Sequence, residues 1–161
     1  RAVLDTMIKD RKGVFFPYWE TSGAPPRYDS IDAQLWFFWA LQKYHQQIGD
    51  KTFIWKTYCK PMVAILEAYR KGTDFNIKMQ EDGLLYGGSP AHALTWMDAT
   101  IDGKPITPRM GLAVEANALW YNAIYYTLSV AGPRSADRRP PCRRPEPCSS
   151  WSSVAERSGT T

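Results

Sequence analysis

Carboxylates set among apolar side chains are the first residues in this sequence that invite a chemical reading. Asp98 stands directly behind Trp96 and Met97 in "ALTWMDATIDGKPITPR", Ala93 to Arg109, a stretch without a clear helix or strand period. An acid among apolar groups is costly unless it is paired, protonated or used. Desolvation beside Trp96 would raise its pKa toward the range a general acid needs; a loop aspartate capping a turn is the plainer alternative. Glu115 and Asn122 share one face of a predicted helix, so each needs a hydrogen-bond partner in a neighbouring helix or in a ligand. Asp32 either closes a capping-box-like pattern with Asp29 or points into a cleft beside Trp36. Arg109, in "TPR", either pairs with a surface acid or holds a carboxylate or sugar hydroxyl.

Other chemistries find little support. Ser89 and His92 suggest a hydrolase triad with Asp98, but "GGSPA" ends in Ala91 where a nucleophile elbow has glycine, and no strand-turn-helix surrounds it. No phosphate-cradling glycine pattern is present. His45 and His92 are the only histidines and lie far apart. Cys59, Cys142 and Cys148 are odd in number and irregular in spacing, which argues against a disulfide framework or a zinc knuckle. Neither a metal nor another cofactor is expected.

The elements that position these residues read as helices. "YDSIDAQLWFFWALQKYHQQIGD" predicts a helix from about Ile31 to Gln47, with Asp29 or Ser30 as N-cap and Gly49 as the stop. Leu35, Phe38, Leu41, Tyr44 and Ile48 form one apolar stripe, while Trp36, Phe37 and Trp39 cover the opposite side. A helix apolar nearly all round is expected to be buried on most sides. A second helix is predicted from Thr52 to Arg70, bent at Pro61 and closed by Gly72. Phe75–Met79 and Leu84–Tyr86 read as a hairpin turning at Glu81-Asp82-Gly83. A further helix is predicted from Leu112 to Val130.

Composition fits a single folded domain with an unlike ending. Seven Trp and nine Tyr in 161 residues exceed what a core of this size needs, and surplus aromatics often line clefts. No apolar run reaches the ~18 residues of a membrane span, so no membrane partner is expected. Residues 1–131 hold 14 Lys and Arg against 13 Asp and Glu, whereas the last 30 residues hold six against three. The basic excess therefore lies in a tail rather than on a folded face, which argues against nucleic acid as a partner. That tail, 132–161, has five Pro and six Arg and hardly an aliphatic residue. It is expected to be disordered, and non-native, as from a shifted reading frame; a real basic linker is the alternative.

Taken together, "RYDSIDAQLWFFWALQKY", "DGLLYGG", "LTWMDA", "ITPR" and "VEANALWYNA" resemble the catalytic domain of microbial glycogen debranching enzymes, the amylo-α-1,6-glucosidase family. The resemblance covers residues 1–131. It implies an all-α fold, here a partial (α/α)6 toroid with a short β-hairpin and irregular active-site loops. It implies cytoplasmic hydrolysis of α-1,6-linked branches of glycogen or limit dextrin, with inversion by two carboxylates. The general acid would be Asp98. Tyr28, Asp32, Trp36, Trp96, Arg109, Glu115 and Asn117 would line the glucose subsite. The family's general base is a Glu late in the toroid, and the reading is that this chain stops before it. Twelve helices of ~11–12 residues with connections of ~4–6 need roughly 190 residues. The sequence departs from the family pattern at "MGLAVEANAL", around Glu115. A non-catalytic carbohydrate-binding or assembly module is the alternative from another class.

Overall fold

In the computed structural model, residues 1–18, 23, 25–97, 99–102 and 104–132 are described. Asp98 and the tail beyond Gly132 lie outside the described residues. The described chain is mostly helical: α1 (Ala2–Lys9), α2 (Ala33–Ile48), α3 (Lys51–Lys71) and α4 (Val114–Ala131). Two antiparallel hairpins separate α3 from α4, β1 (Lys78–Met79) with β2 (Leu85–Tyr86) and β3 (Thr100–Ile101) with β4 (Lys104–Pro105). The sequence reading anticipated neither α1 nor the second hairpin, both of them short elements.

Local chemistry sets the helix ends. The Ser30 hydroxyl accepts from the backbone N–H groups of Asp32 (3.2 Å) and Ala33 (3.1 Å), so Ser30 caps α2 from just outside it. Gly49 ends the helix in the left-handed conformation, φ 67°, which a side chain would disfavour. The Asp50 carboxylate then accepts from Phe53 N–H at 2.8 Å and starts α3. Pro61 sits inside α3, and the helix runs through it as one element.

α2 and α3 form an antiparallel pair. Tyr69, near the end of α3, donates its hydroxyl to the Ile31 carbonyl at 2.9 Å, at the start of α2. The Gln34 amide satisfies Phe16 N–H, the Ser30 carbonyl and the Tyr69 oxygen in that same buried spot. α4 runs parallel to α2. Tyr126 donates to the Leu41 carbonyl at 3.2 Å and its ring lies 6.1 Å from His45, which sets the later parts of both helices together. Phe16, Phe37, Phe38, Tyr58, Tyr69 and Trp120 fill the core between the helices.

Two expectations are corrected. Phe75 and Asn76 are not strand: they adopt left-handed conformations (φ 62° and 57°) in a short turn, and the hairpin begins only at Lys78. Such conformations cost about 1–3 kcal/mol each in residues other than glycine. Here Asn76 offsets part of that by donating its amide to the Gly88 carbonyl at 3.1 Å. α2, in turn, is not buried on most sides. Trp36 and Trp39 are 48% and 44% exposed and meet edge to face, 5.7 Å apart.

Asn117 pins the β1–β2 hairpin to α4. Its side-chain oxygen accepts from Leu85 N–H at 2.7 Å, and its amide donates to the carbonyls of Leu85 and Ala113, each at 3.0 Å. Asn117→Ala leaves the Leu85 backbone groups without partners beside a fully buried side chain. It should destabilise the chain by roughly 1–3 kcal/mol. Urea unfolding followed by circular dichroism measures this, and an unchanged midpoint would remove Asn117 from the fold's supports.

Candidate active site

The N-terminal ends of α2 and α4 point to the same end of the molecule, and the Leu94–Trp96 segment crosses between them. Ile31 N–H donates to the Leu94 carbonyl at 2.8 Å. Because Ser30 does the capping, the carboxylate of Asp32 makes no hydrogen bond to its own helix and reaches outward instead. Its Oδ1 accepts from the Ser30 hydroxyl at 2.5 Å and its Oδ2 from Trp96 N–H at 3.1 Å. Asp32 is only 8% exposed, so both oxygens are answered by donors inside the protein. Beside it the Thr95 hydroxyl is buried with no hydrogen-bond partner.

Trp96 is held a second time through its side chain. Its indole N–H donates to Glu115 Oε1 at 3.2 Å, in the first turn of α4. Arg109 donates to Glu115 Oε2 at 2.9 Å and pairs with Oε1 as well. Partial burial pushes the Glu115 carboxyl upward. Hydrogen bonds from its own backbone N–H, from Arg109 and from Trp96, together with the Arg109 charge, outweigh that and leave it below the usual carboxylate range. Glu115 is thus an anion at neutral pH. Trp96 is 67% exposed even with its indole N–H occupied.

Glycine governs how closely the loop bearing Arg109 can approach. Gly87 and Gly111 exchange backbone hydrogen bonds at 3.1 and 2.9 Å. A Cβ on Gly88 would lie 2.7 Å from the Met110 Cα, and one on Gly87 would lie 2.5 Å from Ile31 Cδ1. Gly88 is therefore required by contact as well as by backbone angle, φ 157°, whereas a side chain at Gly87 would meet only the end of the Ile31 side chain.

Of the residues singled out in the sequence, Asp32, Trp96, Arg109 and Glu115 come together. Asn117 does not join them, because its side chain is bound to the hairpin. Tyr28 also stands apart: its hydroxyl donates to the Asp10 carbonyl at 3.3 Å, and Lys12 lies 4.2 Å above its ring. Trp36 follows Asp32 by one turn on the exposed face of α2. Asp98 follows Trp96 by two positions in the chain and lies outside the described residues. Asn122 keeps a buried amide nitrogen without a partner. Ser89 and His92 do meet, at 3.1 Å, within one exposed turn. Ser30, read in the sequence as a candidate N-cap, does cap α2; what the sequence did not reveal is its hydroxyl bond to Asp32. Among the described residues no cluster could hold a metal ion, and no helix is long and apolar enough to cross a membrane.

A family model described as amylo-alpha-1,6-glucosidase matches residues 1–157. No curated protein and no solved structure matches this chain.

The two anchors of Trp96 should respond differently to substitution. Asp32→Ala leaves the buried Ser30 hydroxyl and the part-buried Trp96 N–H without their acceptor. It should cost roughly 1–3 kcal/mol and speed hydrogen exchange at the Trp96 amide. Glu115→Gln removes a partly exposed ion pair and should cost no more than about 1 kcal/mol. Its sign with pH follows from the lowered carboxyl: the stabilisation is present above the ordinary glutamate pKa and is lost as pH falls through the depressed value. The gap in melting temperature between wild type and Glu115→Gln should therefore close in acid; a gap that widens there would contradict the ion pair.

Proposed function

Because this chain belongs to the amylo-alpha-1,6-glucosidase family, we propose that it is part of a cytoplasmic glycoside hydrolase cleaving the α-1,6 branch linkages of glycogen or limit dextrin. The observation that carries this reading is the double anchoring of Trp96, two residues before the carboxylate of "TWMDA". A general acid must be held within hydrogen-bond reach of the glycosidic oxygen, and a rigid neighbour sets that position. In this reading Asp98 protonates the leaving oxygen. A sugar stacked on the exposed Trp96 excludes water from the carboxyl and keeps it protonated until it is used.

Inversion needs a second carboxylate to activate water on the opposite face of the sugar ring. Asp32 is committed to Ser30 and Trp96, and Glu115 to Trp96 and Arg109, so neither is assigned that role. The base is drawn from polypeptide beyond this chain, which by itself should turn over slowly. Parallel α2 and α4 with α3 returning beside them agree with the inner–outer–inner alternation of an (α/α)6 toroid. The exposed Trp36 and Trp39 then belong to the inner surface.

Those same exposed indoles favour a second reading, a non-catalytic module that grips glucan through aromatic faces alone. The test joins this chain to the remaining hairpins of the family's catalytic domain and follows glucose release from branched limit dextrin. Asp98→Asn should lower the rate by roughly 10²–10⁴-fold while leaving dextrin affinity unchanged. Full hydrolysis in that variant would remove Asp98 as the acid. Dextrin binding without any hydrolysis in the joined chain would favour the binding module. Release from linear maltooligosaccharides or trehalose instead would point to a different toroid glycosidase.

A further inference from the structure

A cleft of about 440 Å³ opens away from Trp96, between the N-terminal segment and the turn that follows α3. Its volume is within the range of ligand-binding clefts. Lys12, Phe15, Arg27, Tyr28 and Asp29 line one side, and Asp74 with Phe75 the other. The rings of Phe15 and Phe75 meet edge to face at 6.2 Å, and Phe75 also packs on His92 at 4.8 Å. Phe75 is held there in a left-handed conformation, φ 62°, which is unusual for so bulky a residue.

The charges of this cleft cancel. Arg27 binds Asp29 in a forked pair, Nε to Oδ1 at 3.1 Å and a terminal nitrogen to Oδ2 at 2.6 Å. Lys12 rests over the Tyr28 ring at 4.2 Å, and Asp74 faces the same space with its side chain exposed. Among the described lining residues, two cations and two carboxylates leave no net charge to attract a phosphate or an acidic ligand. With Asp29 taken by Arg27 and Tyr18, and with Phe15 buried, what remains is the half-buried Tyr28 and Phe75 rings, the Lys12 ammonium beside the former, and the exposed Asp74 carboxylate as an acceptor. That combination fits a neutral, polyhydroxylated ligand with apolar ring faces.

We infer that the Lys12–Tyr28–Phe75 cleft is a second glucan-binding site, separate from the Trp96 platform and able to hold a hexose of the same or another chain. The choice of glucan rests on the debranching reading; the neutrality and the aromatic lining rest on the cleft alone. Tyr28 thereby leaves the catalytic glucose subsite, where the family resemblance had put it. Phe75 and His92 connect the cleft to the Ser89–His92 turn, from which the chain runs on to Trp96.

Calorimetric titration with maltotetraose tests the inference on the chain as it stands, in wild type, Trp96→Ala, Tyr28→Ala and Asp74→Ala. Maltotetraose binding should survive in Trp96→Ala. Adding either Tyr28→Ala or Asp74→Ala to that background should weaken it by about tenfold. Asp74 is exposed, so its variant keeps the test open should Tyr28→Ala unfold, and circular dichroism checks both. Loss of all binding in Trp96→Ala, no binding in the wild type, or unchanged affinity in Trp96→Ala/Asp74→Ala, would overturn the second site. The two proposals fail separately. Cleft binding in a chain whose completed form shows no Asp98-dependent hydrolysis sinks the debranching reading alone; Asp98-dependent hydrolysis with cleft variants that bind normally sinks the second site alone.

Discussion

A buried carboxylate that does not cap its own helix is the constraint on which this end of the molecule depends. Asp32 occupies the N-cap position of α2, where an aspartate ordinarily accepts from the first backbone N–H groups. Ser30 takes over that duty two residues earlier, and so Asp32 is left to reach the Trp96 backbone. A desolvated anion with one partner removed is strongly destabilising, so the Leu94–Trp96 segment cannot leave without penalty. The Ile31 N–H bond to the Leu94 carbonyl at 2.8 Å contributes in the same direction. Together these effects hold an irregular segment, one with no ladder of its own, against two regular helices.

The remaining structure follows as a set of attachments to that arrangement. α4 is brought parallel to α2 by Trp96 and Glu115 at one end and by Tyr126 at the other. The hairpin is fastened to α4 by Asn117, and by Trp120, whose indole donates to the Gly83 carbonyl at 3.1 Å. Gly88 then allows the loop of Met110 and Gly111 to close in, and Arg109 arrives beside Glu115. The polar residues are thereby divided between two tasks. Asp32, Glu115 and Arg109 orient a tryptophan, while Asn117 serves the scaffold. Commitment to these donors makes the carboxylates orienting groups first, whatever else the completed domain asks of them.

Periodicity made the helices legible. The stripe from Leu35 to Tyr44 and the stops at Gly49 and Gly72 placed α2 and α3 to within two residues. The same reasoning failed on Phe75–Ile77, because alternating apolarity cannot reveal a left-handed pair of residues held by a distant carbonyl. It also overstated the burial of α2. Trp36 and Trp39 are apolar enough for a core, yet burial requires a neighbour, and no described element covers them.

For the site, the residue types were visible and their allegiances were not. An acid near a tryptophan, an arginine near a glutamate and an asparagine on an apolar helix could each be read in the sequence as ligand-binding or as structural. Side-chain hydrogen bonds reach only a few ångströms, and the pairs that matter here, Asp32 with Trp96 and Trp96 with Glu115, are 64 and 19 residues apart. Nothing local encodes which donor will meet which acceptor. The sequence by itself determined the helical class, the helix ends and the identity of the polar residues, because those depend on neighbours within a turn or two. Only the tertiary structure decided that three of them meet at Trp96, that Asn117 belongs to the hairpin, and that Tyr28 faces a different cleft. Those outcomes depend on packing between elements distant in the chain.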